Sequence, residues 1–400
     1  MKFLRGQISL ELFAVVCFLI LATAWYAFHG HSEPARKVAS EPIALMEGEQ
    51  WGPQNDEQAQ QIILASEQML QQRTGGATLM KRDAHPKQHG CARAVVQMDS
   101  RALPKAYQVG IFTAPAEGAP YTEYQAWARF SNGSPGGKDA PDLDKDIRGF
   151  ALKLMNVRGS DSGSQDFLLT TSSEFFSKNG KEYASFHRAL ARGNWFFLPW
   201  LVAHPQFAER LLKARVQIGN VLQADYFSTV PYRFGLNHSM RFSTRACTLI
   251  VNRDHLPEKS DQLPNFLHTR LVQSLSGGAT ECFEFYVQPN EFPSVQPIED
   301  PTVAWDEKIS PLYRVGKIIF QAGQTDLDSE NINSFCENLS FSPWHSFPET
   351  RPVGQINRIR RLVYTALSAD RHDHNSLRQK EPQDFNPCND PQSEICKIIR

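Results

Sequence analysis

Four hundred residues allow one large domain or two ordinary ones, with ample core. The 42 basic and 43 acidic side chains nearly cancel, and no Lys/Arg block stands out, which argues against a nucleic-acid partner. Twenty-six phenylalanines, with 25 prolines and 24 glycines to turn the chain, favour a β-rich body over a helical bundle.

Lys2 and Arg5 precede residues 12–28, seventeen positions without a charge, which is the short end of a membrane-spanning helix. The preferred reading is a signal-anchor that leaves the body periplasmic or otherwise extracytoplasmic. A cleaved secretory signal is the rival, because Ala22-Thr23-Ala24 supplies small residues. Gly6 followed by Glu11 also matches a prepilin processing site. Orientation is balanced, since Arg36 and Lys37 answer Lys2 and Arg5. Residues 1–30 are therefore an anchor or signal, and 31–55, polar and carrying Pro34, Pro42 and Pro53, a tether.

Residues 56–73 carry Ala59, Ile62, Ile63, Ser66, Met69 and Leu70 at helical spacing, and Thr74-Gly75-Gly76 ends that helix. Short apolar runs at 94–98, 107–112, 125–130, 149–156 and 166–170 predict strands, with a glycine-rich loop over 132–137. Residues 180–218 predict a helical insert rich in Trp195, Phe196, Phe197, Leu198 and Trp200. Strands are expected again at 232–234, 240–242, 248–251, 284–287 and 312–320. Ile356, Ile359, Val363 and Leu367 then recur at helical spacing and predict a helix over 354–375. Beyond it, 376–400 is expected to be a flexible tail. Cys17 falls in the apolar run. The other six cysteines show no zinc spacing, and Cys388 with Cys396 is the easiest disulfide among 15 possible complete pairings.

On the last helix, Tyr364 lies about 40° and Arg371 about 20° around the axis from Arg360. A tyrosine hemmed in by arginines favours its phenolate form, and a phenolate is an axial ligand for ferric haem iron. A second cluster runs from Arg82 to Gly90. His85 and His89 there are spaced for metal ligation only on a helix, which Pro86 and Gly90 oppose. A proton shuttle at His85, beside a metal or cofactor, suits the segment better. Arg129-Phe130-Ser131 and Asp146-Ile147-Arg148-Gly149-Phe150-Ala151, next to the glycine-rich loop, suit binding of an anionic group such as a propionate.

These segments, in this order and spacing, resemble the haem catalase superfamily in its short catalase-related branch. His85-Pro86-Lys87 and Gly90 are similar to its distal-histidine strand, and Arg360 with Tyr364 and Arg371 to its proximal helix. Pro231-Tyr232-Arg233-Phe234-Gly235 also resembles that branch. The resemblance covers about 56–375 and implies an α+β chain: an antiparallel β-barrel with a helical insert, and haem b buried between barrel and proximal helix. It implies Tyr364 as the fifth iron ligand, Arg360 holding it as phenolate, and His85 moving the peroxide proton. It further implies Ser131 orienting His85, Phe175 lining the distal face, and Arg82, Arg129 and Arg371 neutralising propionates. Thr170 falls where catalases carry a distal asparagine, so the amide donor is lost. The long wrapping segment and C-terminal helical domain of large catalases are missing, which implies wide access and favours organic hydroperoxides as substrates over rapid hydrogen peroxide disproportionation. Alternatives are an allene-oxide-synthase-like rearrangement of lipid hydroperoxides and a non-enzymatic haem carrier or sensor.

Overall fold

Along β1 (Lys87–Met98) the side chains of Ala92, Ala94, Val96 and Met98 are buried, while Arg93, Val95 and Gln97 between them are half-buried. That period of two sets one face of the strand against a core. The structure, a computed structural model, describes residues 44–387 apart from 51, 75–79, 83, 134–139, 248–254 and 258–263. Among the described residues eight more strands follow: β2 (Thr122–Asn132), β3 (Arg148–Leu154), β4 (Gln165–Thr170), β5 (Tyr226–Phe227), β6 (Tyr232–Arg233), β7 (Ser239–Ala246), β8 (Glu281–Pro289) and β9 (Tyr313–Phe320). Their order is β5-β4-β3-β2-β1-β9-β8-β7-β6 with every pairing antiparallel. A further β5–β7 pairing closes eight of them into a barrel and leaves β6 hanging on β7. Closure removes the exposed strand edges an open sheet would present.

Phenylalanine fills the barrel. Phe130 stacks on Phe150 at 4.9 Å, and Phe167, Phe242, Phe283, Phe285 and Phe320 complete an aromatic interior. The inside is a packed core, so a ligand has to bind outside it. The segment 107–112, expected as a strand, instead makes two 3₁₀ turns, Lys105–Tyr107 and Gly110–Phe112. Tyr107 stacks at 4.7 Å on Phe234, and Phe112 meets the same ring edge-on at 5.7 Å. Plugging the barrel end with these rings overrides β propensity.

Seven α-helices stand among the described residues: α1 (Pro53–Thr74), α2 (Gly180–Ala191), α3 (Asn194–Ala203), α4 (Pro205–Ala214), α5 (Phe266–Ser276), α6 (Glu330–Asn338) and α7 (Gln355–His374). The sequence predicts α1, the insert α2–α4 and α7, but not α5 or α6. A buried charge cluster fixes the start of α7. Arg358 pairs with Asp56 (3.1 Å), Glu49 (3.0 Å) and Glu299 (3.2 Å), tying α7 to α1.

Two disulfides stand among the described residues, Cys91–Cys336 and Cys247–Cys282. The first staples β1 to α6. The expected Cys388–Cys396 pair, the strand over 248–251 and the apolar run 12–28 lie wholly or largely outside the described residues. No helix among the described residues is long and apolar enough to cross a membrane. The expectation of a loose tail is corrected as far as residue 387. Trp127 Nε1 donates to the Asp384 carbonyl at 3.1 Å, Phe385 packs edge-on against Trp127, and Glu381 pairs with the buried Lys153. An unpaired lysine at that depth would be costly, and the tail carboxylate supplies part of its charge balance.

The Cys91–Cys336 bridge spans 245 residues of sequence and Cys247–Cys282 only 35. Replacing Cys91 and Cys336 together by serine should lower unfolding stability by about 2–5 kcal/mol, more than the same change at the second pair. Denaturant midpoints under oxidising conditions measure the difference.

Candidate functional site

The register of the barrel brings together residues far apart in sequence. β2 pairs Ser131 with Gly149 on β3, β3 pairs Gly149 with Thr170 on β4, and Gln88 of β1 lies opposite Ser131. His85 enters this corner just ahead of β1. Ser131 Oγ lies 3.3 Å from His85 Nδ1, and Arg129 Nη2 donates to the His85 carbonyl at 2.9 Å. The slot for the imidazole exists because residue 149 is glycine. A Cβ there would lie 2.5 Å from His85 Nδ1 and 2.8 Å from Ser131 Oγ. His85 itself has φ +57°, a left-handed conformation that costs a histidine on the order of 1 kcal/mol and persists only where the surroundings impose it. Here Arg129 from behind and the Gly149 slot in front impose it.

Burial pushes the His85 imidazole down to about 4, helped by the Arg129 guanidinium and opposed by Asp146; Arg360 and Arg82 push the same way as burial. At neutral pH the ring is therefore an uncharged base. Thr170 lines the same cavity, but its hydroxyl is turned to the adjacent backbone, 3.4 Å from the Ser172 carbonyl and 3.3 Å from the Ser172 amide. Phe175 lines the cavity too, stacked on Phe176 at 4.6 Å.

From α7, Arg360 and Tyr364 line the same cavity. Arg360 Nη2 donates to Tyr364 Oη at 3.1 Å, and Nη1 donates to Asn357 Oδ1 at 3.2 Å. Asn357 in turn donates to the Pro231 carbonyl at 2.9 Å, which sets the helix against the segment leading into β6. Burial works against the charge of Arg360, yet Tyr364 and Tyr232 hold it above the usual arginine value. The cavity has a volume of about 360 Å³, a size that fits a cofactor or drug-sized ligand.

Arg82, Arg129 and Arg371 converge on the C-terminal end of α6. Arg82 Nη2 donates to the carbonyls of Cys336 (3.1 Å), Glu337 (2.7 Å) and Leu339 (3.0 Å). Arg371 Nη1 donates to the Glu337 carbonyl at 2.5 Å. The Glu337 carboxylate lies 3.4 Å from Arg82 and 3.9 Å from both Arg129 and Arg371. Burial raises the Glu337 carboxyl, but the three arginines win and hold it below the usual range. Arg371 is pushed down to about 9 by burial and by Arg82. Three cations share one carboxylate, and the buried Nε atoms of Arg129 and Arg371 have no hydrogen-bond partner. The cluster therefore has the charge and the free donors for further anions. Arg82 and Arg129 line the cavity, while Arg371 stands behind them.

Glu337 escaped sequence reasoning because its arginine partners at 82, 129 and 371 lie far from it along the chain. His187 was recoverable: Tyr183, Phe186, His187 and Leu190 recur at helical spacing on α2, and all four line the cavity. His187 Nδ1 lies 3.5 Å from Glu67 Oε1, and burial pushes its ring down to about 3. His89 belongs elsewhere. It lies 2.6 Å from Asn132 Oδ1 and 3.8 Å from Asp142, in a buried network that does not line the cavity. No group of acidic, histidine or cysteine side chains among the described residues is arranged to hold a metal ion by itself.

No protein-family model matches the sequence, and no curated protein does. Solved structures do. A fungal catalase superposes with a TM-score of 0.57 at 18% identity, covering 88% of this chain and 69% of that one. A bacterial catalase superposes with a TM-score of 0.57 at 16% identity, covering 87% and 68%. The fold is that of the catalases. Likeness at this identity speaks to the catalase-like fold alone; the chemistry has to come from the residues in the cavity.

A methyl group at position 149 has no room, so Gly149→Ala should displace the His85 ring and lower stability by about 1–3 kcal/mol, read from unfolding midpoints and the histidine ring resonances. His85, His89 and His187 are all held below the ordinary 6.5, at about 4, 4 and 3. Between pH 6.5 and 4 the unfolded chain binds protons that the folded chain refuses, so stability is present above this window and falls on acidification through it. Each histidine should cost on the order of 1–2 kcal/mol by pH 5, measured as a pH series of denaturation midpoints.

Proposed function

We propose that the protein binds haem b in this cavity and cleaves the O–O bond of hydrogen peroxide or an organic hydroperoxide, as a peroxidase or catalase does. The single observation that carries the reading is one cavity presenting a neutral His85 from the barrel and the Arg360–Tyr364 pair from α7, with an under-balanced arginine cluster at its rim. The donor set suits the group. Tyr364 supplies an oxygen ligand for ferric iron, and two propionates would balance the two positive charges that Glu337 leaves over among Arg82, Arg129 and Arg371. When bound, the haem supplies a redox-active iron on which peroxide can be cleaved.

The chain's own residues do the rest. His85, uncharged at neutral pH, accepts a proton from the peroxide and returns it to the departing oxygen. Ser131 and the Gly149 slot are positioning elements that keep its ring aimed into the cavity. Arg360, donating to Tyr364 Oη, would hold that oxygen in place as the iron's ligand. Phe175 closes part of the wall against water. Thr170, with its hydroxyl turned to Ser172, offers no amide donor for a second peroxide.

A specific observation also favours lipid hydroperoxides. The cavity continues along Phe176, Phe186, Leu190, Phe197 and Leu211, an apolar limb suited to an acyl chain. Rearrangement of the allene-oxide-synthase type is the second reading on that ground. The two disulfides support an oxidising compartment, in line with a membrane-tethered body outside the cytoplasm.

Hemin added to the full chain should give a ferric tyrosinate spectrum that is lost in Tyr364→Phe; an unchanged spectrum in that variant removes Tyr364 as ligand. His85→Ala should slow peroxide-driven dye oxidation by about 10²–10⁴-fold while leaving the spectrum's ligand signature in place. Oxygen release, dye oxidation and fatty-acid hydroperoxide products, measured side by side, separate catalase, peroxidase and rearrangement.

A further inference from the structure

Helix α3 contains no charged residue, and none of its ten residues is buried. Trp195 (87% exposed), Leu198 (59%) and Val202 (83%) lie within about 60° of one another around its axis. Leu212 of α4, 66% exposed, adds to this apolar edge. Singly exposed apolar residues need no explanation, but this concentration does. The inner side of the helix is engaged: Phe197 packs on Phe186, and Trp200 on Phe207 and Phe186.

Charge selects the occupant. Residues 178–215 hold seven lysines and arginines against two glutamates, within a chain whose formal net charge is −1. Both glutamates are already answered, Glu182 by Arg210 and Glu209 by Lys213, and of the other cations Lys178 is answered from outside the stretch by Asp300. Arg192 lies over the ring of Phe196, 5.7 Å from its centroid, an aromatic–cation pair placed where an apolar surface meets polar groups. A second copy of the chain meeting this edge would bring two positive surfaces together. An anionic bilayer meets both features at once, with acyl chains for the tryptophan and leucines and headgroups for the cations.

We propose that α3 docks this face onto an anionic lipid surface. At ten residues, or about 15 Å, and with Pro199 inside it, the helix is too short to span and lies in the interfacial plane. Phe197 on the inner side of the same helix and Leu190 and Leu211 of its neighbours line the cavity, so the docked helix also forms part of the cavity's wall. An apolar hydroperoxide would then enter from the bilayer without crossing water. That last step rests on the functional reading above; the docking does not.

The test uses the full chain in vesicles of phosphatidylcholine with or without phosphatidylglycerol, their acyl chains brominated. Trp195 emission is isolated as wild type minus Trp195→Phe. We expect at least twofold quenching of Trp195 in the anionic vesicles, much less in the neutral ones, and loss of the difference in Lys181→Glu with Arg188→Glu. Absent quenching overturns the proposal. So does blue-shifted but unquenched emission, which means that protein covers the helix, either a second copy or the chain's own apolar N-terminal run. Equal quenching in both vesicles overturns the anionic assignment. In a second arm, Leu198→Glu should raise KM several-fold for a vesicle-borne fatty-acid hydroperoxide and leave a water-soluble hydroperoxide unchanged. Equal effects on both overturn entry from the bilayer. If wild type turns over neither hydroperoxide, it is the functional reading that fails, and the quenching result stands by itself.

Discussion

Three guanidinium groups crowded onto one glutamate organise the cavity. Arg82 comes from the segment before β1, Arg129 from β2, and Arg371 from the end of α7, and all three meet at the C-terminal end of α6. Cations at that end of a helix are favoured by its unsatisfied carbonyls, which is where Arg82 and Arg371 donate. The Cys91–Cys336 bridge holds the same end of α6 against β1. Barrel, α6 and α7 are thereby locked at one point. Because the cations outnumber the carboxylate, the point is stable only while further anions or solvent share the charge.

The same arginines explain the state of His85. Arg129 holds the His85 backbone in its left-handed conformation and adds its charge to the burial that keeps the ring unprotonated. Gly149 answers from the front, since any Cβ would close the slot. Such over-determination keeps the ring aimed into the cavity with nothing bound there.

The insert helices do two unlike jobs with one set of residues. Phe186, Leu190 and Phe197 extend the cavity inward, while Trp195, Leu198 and Val202 face solvent from the same stretch. In the sequence Trp195, Phe197, Leu198 and Val202 fall in one aromatic and aliphatic block, 195–202, without a visible period. Which side faced the cavity was unreadable there, because a run that is apolar all round carries no facial signal.

What the sequence alone determined were the features written in local spacing. The Arg360–Tyr364–Arg371 face follows from helical geometry, and the alternation along β1 follows from strand geometry. The order of the motifs around His85, Ser131 and Asp146 pointed to the haem catalase resemblance, and the catalase-like fold agrees with it. Tertiary structure decided everything that depends on register and burial. Glu337 at the centre of the arginines, the pairing of Cys91 with Cys336, the Gly149 slot and the docking of residues 376–387 all join positions tens to hundreds of residues apart. Short-range periodicity holds no record of which distant groups will share a low-dielectric interior, and it is there that charges must find partners.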